Sequence, residues 1–324
     1  MKKVFVLGGT GFLGYYTVKE LLNRGYQVKT MALPPLPTDD LLPEEVELTL
    51  GDINQLSDDE ILELLSDVYG FMYAAGADER VVPERPALKF FYEANVLPTQ
   101  RIARLAAKAG VKKFVIYGSY FSKTAEEMPE LGLKDQAYPN TRLLQEQVAF
   151  AEGEGIMDVT SLRLPYIFGT MPGRMPLWKM FTDQIKGQEQ WAVLGGSTSS
   201  VTVEQVAEAA VGAMENGSHR ETFPINMYNL KHEDFHRMMI KALGQEDTTS
   251  LNVVPYEVMQ PQLAAIDQQC ADEGLEHGIH MVLAQKLADL DIVTDPALTK
   301  DKLKINEYDV IATIEKTLEK CVSE

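Results

Sequence analysis

Short apolar runs alternate with segments of helical apolar spacing along the first half of the chain. Continuous apolar runs predict strands that are buried on both faces, and apolar residues that recur every three to four positions predict amphipathic helices. The predicted strands span residues 4–7, 27–32, 46–50, 70–75, 114–117 and 159–164. The predicted helices span residues 15–23, 58–65, 95–109 and 138–153. Strands that alternate with helices predict βαβ units, and therefore a parallel sheet with helices on both faces.

The segment GGTGFLG, Gly8 to Gly14, lies between the first predicted strand and the first predicted helix. In this position Gly8 permits a tight turn, Gly11 allows the backbone to approach a pyrophosphate, and Gly14 allows the helix to pack closely on the strand. The spacing G-x-x-G-x-x-G also suits an ordinary strand-to-helix turn, but its place after the first strand favours dinucleotide binding. The predicted contacts are Gly8, Thr10, Gly11, Phe12, Leu13 and Gly14.

The alternating pattern stops near residue 166, where prolines and tryptophans precede helical stretches with irregular connections. Together with the glycine turn, this predicts an α/β fold: a Rossmann-type doubly wound parallel sheet with a smaller, mostly helical C-terminal substrate domain. We expect residues 1–165 to form the dinucleotide-binding domain and residues 166–324 to be mainly the substrate-binding domain. Part of the second region, about residues 200–226, is a candidate to return to the Rossmann sheet.

Composition and charge narrow the range of partners. The chain has 324 residues, of which 45% are hydrophobic, so it can bury a sizeable core. Its formal net charge of -18 repels phosphate backbones, so we expect a small-molecule substrate and no nucleic acid. Cys270 and Cys321 match neither a disulfide framework nor metal-type spacing, which favours the cytoplasm. No apolar run reaches membrane-spanning length, so no membrane association is expected.

Several short motifs occur in an order that resembles one enzyme family. They are GGTGFLG, Gly51-Asp52-Ile53, Ala74-Ala75-Gly76, Asn95-Val96, FVIYGS, YPNTR and LRLPYIFG. From Met1 to about Gly169, and more weakly to about Gly244, the chain resembles the extended short-chain dehydrogenases/reductases, which include NAD-dependent epimerases and dehydratases.

The resemblance implies further contacts to the coenzyme. Asp52 and Ile53 would hold the adenine, although a Gly-Asp pair also forms simple turns. Asn95 would support the active site. The remaining implied positions line the dinucleotide channel or flank the nicotinamide: Ala74, Ala75, Gly76, Pro165 and Tyr166.

YPNTR places Tyr138 and Arg142 four residues apart, on one face of a helix. Proton transfer near neutral pH would require the pKa of a tyrosine to fall by about 3 units. A cation about 4 Å away at an effective dielectric of about 20 supplies roughly that much free energy. We therefore expect Arg142 to lower the pKa of Tyr138, and its planar guanidinium suits two ribose hydroxyls.

The family has a lysine where this chain has Arg142. Arginine keeps the positive charge but cannot release a proton, so a relay through the lysine is lost and turnover is not assured. Ser119 ends the fifth predicted strand, where the family has its catalytic serine or threonine. The resemblance thus implies Tyr138 as acid/base, Arg142 as its electrostatic partner and coenzyme contact, and Ser119 as a hydrogen-bond partner of the substrate.

The choice between NAD and NADP depends on the end of the second strand. An acidic residue there would bind the ribose hydroxyls of NAD, whereas an arginine would bind the 2′-phosphate of NADP. The positions are Ala32 and Leu33, and the nearest cation is Lys29. Because no carboxylate repels a 2′-phosphate, NADP is slightly favoured over NAD.

Three functions stay open at this point. The first is NAD(P)-dependent hydride transfer to or from a carbonyl or secondary alcohol of a small substrate. The second is nucleotide-sugar epimerisation, which is disfavoured because GGSTSSVTVEQVA lacks the family's diphosphate-binding arginine. Arg174 is a candidate to replace that arginine, and a solvated loop arginine is the alternative interpretation. The third is a non-catalytic NAD(P)-binding redox sensor. Dehydratase chemistry lacks its Asp-Glu pair, because Tyr120 and Phe121 follow Ser119.

Two further features concern metals and assembly. HEDFH, His232 to His236, matches the H-E-x-x-H pattern of zinc proteases, but it begins an amphipathic helix without a third ligand at a suitable spacing. We interpret it as the start of a surface helix and predict no metal site. His277 and His280 are interpreted as packing or surface groups. By analogy with the family, a homodimer would form through the helices at 95–109 and 138–153.

Overall fold

The computed structural model describes residues 1–323, and its largest element is a parallel sheet. The strands in chain order are β1 (Lys3–Leu7), β2 (Gln27–Ala32), β3 (Glu47–Leu50), β4 (Gly70–Tyr73), β5 (Lys113–Ser119), β6 (Asp158–Leu164), β7 (Tyr166–Phe168), β8 (Gln190–Val193), β9 (Ser197–Thr202), β10 (Thr222–Pro224), β11 (Tyr228–Lys231), β12 (Ser250–Val253) and β13 (Asp291–Ile292). Seven of them form the main sheet in the order β10-β6-β5-β4-β1-β2-β3, with every neighbouring pair parallel.

Residues 1–323 also form helices, some of which cover the two faces of this sheet. They are α1 (Phe12–Asn23), α2 (Asp58–Leu64), α3 (Ala87–Phe91), α4 (Leu97–Ala109), α5 (Tyr120–Glu127), α6 (Ala137–Gly153), α7 (Lys179–Ile185), α8 (Val203–Asn216), α9 (His232–Ala242), α10 (Tyr256–Asp272), α11 (Met281–Ala288), α12 (Lys300–Leu303) and α13 (Val310–Val322). The predicted Rossmann-type α/β fold is confirmed. The strand order reverses between β1 and β4, which is where such sheets bind ligands beyond the carboxyl ends of their strands.

The core lies on both sides of the sheet because side chains along a strand alternate between its two faces. Val4 and Val6 of β1 pack on the side covered by α1 and α8. Phe5 and Leu7 of the same strand pack on the side covered by α2, α4 and α6. Burying each such side chain stabilises the fold by about 1.5–3 kcal/mol. A strand buried on both faces explains the continuous apolar run in its sequence.

The second half contains small sheets that the sequence pattern did not predict. β9 lies at the centre of one, where it pairs antiparallel with β11 and parallel with β7 and β13. β8 pairs with β12 in another. The sequence of β9, Ser197–Thr202, consists almost entirely of serine and threonine, yet all six residues are buried. A buried polar strand has no alternating apolar pattern, so periodicity could not identify it.

The second half of the chain contacts the first half at several places, of which two bear on the site. β10 joins the edge of the main sheet beside β6. The loop around residues 274–280 packs near α3, where the backbone N–H of Ala87 donates to Glu276 at 2.7 Å. The division of the chain at residue 165 into two domains stays a prediction. Within residues 1–323, no helix has both the length and the apolar character needed to cross a bilayer.

Candidate active site

The glycine turn joins β1 to α1 with the geometry that close backbone approach requires. Gly8 has φ +89°, a conformation that glycine adopts readily. A Cβ atom on Gly14 would lie 2.2 Å from the carbonyl oxygen of Gly8, so only glycine fits there. Gly11 precedes the first helical residue, and no side chain caps this helix end. The N–H groups at the start of α1 are therefore free to bind an anion.

A cavity of about 620 Å³ begins at this turn and extends to the carboxyl ends of β4, β5 and β6. It brings together most of the positions that the sequence singled out. Twelve of these line it: Gly11, Phe12, Leu13, Gly14, Ala74, Ala75, Gly76, Ser119, Tyr138, Arg142, Pro165 and Tyr166. The two ends of this cavity are called here the coenzyme end, at Gly11 to Gly14, and the substrate end, at Tyr120, Tyr166 and Trp178.

Five predicted positions lie outside the cavity wall. Gly8 and the buried Thr10 belong to the glycine turn itself. Asp52 follows β3, where its carboxylate accepts a hydrogen bond from the N–H of Asn54 at 2.9 Å, and Ile53 is buried in the core. Asn95 is fully buried, and its side-chain amide bonds both the N–H and the carbonyl of Ala77, at 2.8 and 3.0 Å. Asn95 therefore holds the loop after β4 in place.

Tyr138 lies in the first turn of α6 and is 4% exposed. Its ring contacts Phe91 and Phe121 edge-on, at centroid distances of 5.5 and 6.0 Å. Its backbone N–H donates to the carbonyl of Gly278 at 2.8 Å. The distant segment EHGIH thus fixes the start of α6 through its backbone. His277 lies beside Asp267 and His280 is exposed, so neither histidine lines the cavity.

Burial raises the pKa of Tyr138 above its ordinary value of 10.0. The positive charge of Arg142 and a hydrogen bond with Ser119 act in the opposite direction but do not outweigh burial. The sequence-based expectation of a lowered pKa is therefore corrected. Desolvation of the phenolate, which spacing along a helix does not reveal, exceeds the attraction of one guanidinium.

Arg142 lies close to the tyrosine, as its position one helical turn later predicts. Its guanidinium carbon is 5.7 Å from the centroid of the Tyr138 ring. One terminal nitrogen donates to the carbonyl of Tyr117. The side chain is only 6% exposed, and its buried Nε has no hydrogen-bond partner among residues 1–323. A buried donor without a partner is costly, and an oxygen of a ligand in the cavity would satisfy it.

Ser119 is the last residue of β5 and also caps α5. Its Oγ accepts a hydrogen bond from the N–H of Phe121 at 3.3 Å. The same hydroxyl lies within hydrogen-bonding range of Tyr138. A phenol, a hydroxyl and a guanidinium thus meet at one place, beside a surface suited to a dinucleotide.

A family comparison agrees with this geometry. Residues 4–227 match the model of the NAD dependent epimerase/dehydratase family. The chain belongs to this family. The predicted resemblance is therefore confirmed, and the match extends past the last recognised motif into β10.

Curated relatives match over part of their length. A putative dihydroflavonol 4-reductase of Synechocystis sp. is 33% identical over 36% of this chain and 32% of its own. The human sterol-4-alpha-carboxylate 3-dehydrogenase, decarboxylating, is 23% identical over 72% of this chain and 63% of its own. The chain thus spans between about a third and about two-thirds of the length of these two relatives.

A solved structure supports the same fold. MoeE5 in complex with UDP-glucuronic acid and NAD superposes with a TM-score of 0.65 at 18% identity, covering 98% of each chain. At this identity the likeness shows the fold and not the activity.

The substrate end contains three charged residues that the sequence reasoning missed. Asp78, Glu79 and Arg80 follow β4 and line the cavity. Arg80 Nε donates to Asp78 at 2.9 Å, so these two charges are paired. Their position just after Ala74-Ala75-Gly76 could have identified them as site residues. In this type of fold, ligands bind at the loops that follow the carboxyl ends of the strands.

Aromatic rings form another part of the wall at the substrate end. The ring of Tyr166 lies 6.5 Å from that of Tyr120 and 5.1 Å from that of Trp178. Arg174 also lines the cavity but is exposed at its rim. The wall that faces a substrate is therefore more apolar than charged.

The serines and threonines of β9 do not provide a substitute for a diphosphate-binding arginine. Ser197 Oγ donates to Asp291 at 2.6 Å, and Ser200 Oγ donates to the carbonyl of Tyr228 at 2.8 Å. Ser199 Oγ accepts from the N–H of Thr294 at 3.0 Å. These hydroxyls bind neighbouring chain segments, and none of them lines the cavity.

The HEDFH segment differs from the expected surface helix start. His232 is buried, and the indole N–H of Trp191 donates to Nδ1 of His236 at 2.8 Å. Burial, together with the neighbouring His232, lowers the pKa of His236 to about 4. Both histidines thus act in packing. Residues 1–323 contain no cluster of three or more histidine, cysteine or acidic side chains that could hold a metal ion.

Proposed function

We propose that this protein is an NAD(P)-dependent oxidoreductase of the extended short-chain dehydrogenase/reductase type. It transfers a hydride to or from a carbonyl or secondary alcohol of a small substrate. One observation carries this proposal: a single cavity runs from the glycine turn to Tyr138, Ser119 and Arg142. The names of the reductase and dehydrogenase relatives support the same type of reaction.

The residues present fit a dinucleotide. The uncapped start of α1 suits its pyrophosphate, and the partnerless Nε of Arg142 suits a ribose oxygen. We propose that Asp52 and Ile53 contact the adenine, beyond the wall of the cavity. The other proposed contacts are Gly8, Thr10, Gly11, Phe12, Leu13, Gly14, Ala74, Ala75, Gly76, Asn95, Tyr138, Arg142, Pro165 and Tyr166, of which Gly8, Thr10 and Asn95 act by shaping the backbone.

Tyr138 is the proposed proton donor and acceptor. When bound, the nicotinamide supplies or accepts the hydride. In carbonyl reduction, Tyr138 gives its phenolic proton to the oxygen that becomes the alcohol. Ser119 donates a hydrogen bond to the same oxygen. Arg142 stabilises the phenolate that remains, since its positive charge opposes the effect of burial on the pKa of Tyr138.

The proposed difference in affinity between NAD and NADP is small. Lys29 Nζ donates to the carbonyl of Leu64 at 3.0 Å, so this cation is already engaged away from a 2′-phosphate. Ala32 is buried and Leu33 is exposed, and neither repels a phosphate. We infer that NADP is accepted, with an affinity close to that for NAD. Titration of both coenzymes by calorimetry tests this, and a difference of more than about tenfold contradicts it.

The runner-up function is nucleotide-sugar epimerisation. The family name and the UDP-glucuronic acid bound to MoeE5 favour it. The hydroxyls of β9 disfavour it, because they already bind neighbouring segments and cannot hold the diphosphate of a nucleotide sugar. Of the arginines that line the described cavity, Arg142 belongs to the proposed catalytic group and Arg80 is paired with Asp78. Only Arg174 is then left for a diphosphate. A redox sensor without turnover is the third possibility, and it predicts coenzyme binding without hydride transfer.

We also propose a cytoplasmic location and a homodimer. The two cysteines are free and buried, which suits a reducing compartment. The helices α4 and α6, through which the homodimer is proposed to form, pack together, with Gln145 donating to Thr99 at 2.8 Å. Cell fractionation and light scattering test these two points.

The test of the proposed function starts with the coenzyme that co-purifies, identified by mass spectrometry. Oxidation of that reduced coenzyme is then followed with a panel of carbonyl compounds, in the wild type and in Tyr138→Phe. Tyr228→Phe, which removes an exposed phenol outside the cavity, is the matched control. Substrate-dependent oxidation that Tyr138→Phe abolishes supports the proposal. Equal rates in both proteins, or coenzyme binding without oxidation, contradict it.

A further inference from the structure

Glu79 is an unpaired carboxylate at the substrate end of the cavity. It lies between Asp78 and Arg80, which form an ion pair with each other. No ion pair to Glu79 occurs among residues 1–323. Burial raises the pKa of its carboxyl above the ordinary value, and the more distant charges of Arg80 and Arg142 oppose this effect without outweighing it. Water reaches its side chain through the open cavity, although protein surrounds it on the other sides.

Glu79 lines the same cavity as the aromatic rings of the substrate end. Burial raises the pKa of Tyr166 to about 12, and the negative charge of Glu79 adds to this effect. Burial and the same charge also raise the pKa of Tyr120 and of Tyr138. Glu79 is therefore close enough to influence three phenols that line one cavity, including the proposed proton donor.

A substrate that fills this space removes the water around Glu79. A carboxylate that loses its water without gaining a partner costs free energy, and a second anion beside it costs more. A protonated amine would pair with the carboxylate. It would also be attracted to the faces of the neighbouring aromatic rings. The arginines that line the described cavity have other partners or lie apart: Arg80 is paired with Asp78, Arg142 donates to the carbonyl of Tyr117, and Arg174 is exposed at the rim.

We propose that Glu79 determines specificity, by selecting a carbonyl or alcohol substrate that carries a protonated amine and by rejecting one that carries a carboxylate. This inference rests on the proposed function, since it concerns the substrate of the same site. Glu79 acts on which substrate binds and not on the hydride transfer itself.

Three cyclohexanols that differ only opposite the hydroxyl test the proposal. They carry an aminomethyl, a methyl or a carboxylate group, and their binding to the coenzyme-loaded protein is measured by calorimetry. Glu79→Gln removes the charge with little change in shape. Glu84→Gln is the matched control, because it removes a charge from an exposed residue of the same loop, outside the cavity. Melting temperatures verify that both variants fold.

We expect the wild type and Glu84→Gln to bind the amine at least about tenfold more tightly than the carboxylate. In Glu79→Gln this ratio falls to about one. The proposal is overturned if the wild type does not prefer the amine, which includes the case of no measurable binding, or if Glu79→Gln keeps the preference.

Coenzyme reduction is followed in parallel with the same alcohols. Turnover of the methyl compound without amine selectivity overturns the role of Glu79 and leaves the hydride-transfer function intact. Selective amine binding without any coenzyme reduction supports the role of Glu79 and contradicts the hydride-transfer function.

Discussion

The two ends of the cavity are built in different ways. At the coenzyme end, backbone geometry provides the binding surface: Gly8 adopts a positive φ and Gly14 leaves room for a carbonyl. At the substrate end, side chains from separate loops provide it, among them Glu79, Tyr166 and Trp178. A backbone turn of this kind tolerates few residue types, whereas a wall of side chains tolerates many. The coenzyme end is therefore recognisable in a sequence, and the substrate end is not.

Tyr138 lies where the two ends meet, and removing its hydroxyl is expected to have the largest effect. Tyr138→Phe should lower kcat by about a thousandfold, because general acid catalysis contributes about that much. Affinity for the coenzyme should change little, since Tyr138→Phe keeps the ring and leaves the glycine turn and the other proposed coenzyme contacts in place. Stopped-flow rates and calorimetric titration measure the two quantities. A parallel loss of coenzyme affinity would show that the two ends are not separable.

Gly14→Ala should weaken coenzyme binding instead, because it changes the coenzyme end of the cavity. The new Cβ would lie 2.2 Å from the carbonyl oxygen of Gly8, so the turn must shift. Overpacking of this kind costs about 1–3 kcal/mol, and because the strain falls on the turn that binds the coenzyme, we predict a coenzyme Kd raised by about 5- to 150-fold. Gly195→Ala is the control, because the nearest atom to its Cβ is 3.6 Å away. An unchanged Kd in Gly14→Ala would mean that the coenzyme does not bind at this turn.

The pH dependence of the reaction rates tests the protonation of Tyr138. Burial raises the pKa of Tyr138 above 10.0, so the phenol carries its proton at neutral pH. Carbonyl reduction uses this protonated form and should stay constant from about pH 6 to pH 9. Alcohol oxidation uses the phenolate and should rise about tenfold per pH unit over the same range. An oxidation rate that levels off near neutral pH would show that bound coenzyme lowers the pKa after all.

Arg142 should have the smallest effect when the charge is kept. Arg142→Lys retains the charge that opposes burial of the Tyr138 phenolate, so rates should change by about threefold or less. Arg142→Ala removes the charge, the pKa of Tyr138 rises further, and oxidation should slow by about tenfold. Both are measured as kcat at one pH. Equal rates in the lysine and alanine variants would show that the charge is irrelevant.

Much of the fold could be predicted from the sequence, because most strands and helices show their own pattern of apolar residues. The inner strands β1, β4 and β5 showed as apolar runs because both of their faces are buried. β9 did not, because its buried side chains are serines and threonines that bond to neighbouring segments. Local sequence patterns report the burial of apolar groups and cannot report polar groups satisfied by distant partners.

The same distinction applies to the active site. Short motifs contain the three proposed catalytic residues, Ser119, Tyr138 and Arg142. The order of the strands in the parallel sheet brings these motifs to one cavity. The contact between Tyr138 and Gly278 joins positions far apart in the chain, so no spacing rule indicates it. The raised pKa of Tyr138 likewise depends on burial by several segments and not on its neighbour one helical turn away.

The most direct test of the central claim is a crystal structure of the protein with its coenzyme. We predict that the phenolic oxygen of Tyr138 lies within about 5 Å of the carbon of the nicotinamide ring that exchanges the hydride, because reacting groups must approach closely. The pyrophosphate should lie against the start of α1. A nicotinamide more than about 10 Å from Tyr138 would contradict the account, since proton and hydride could not then reach one substrate.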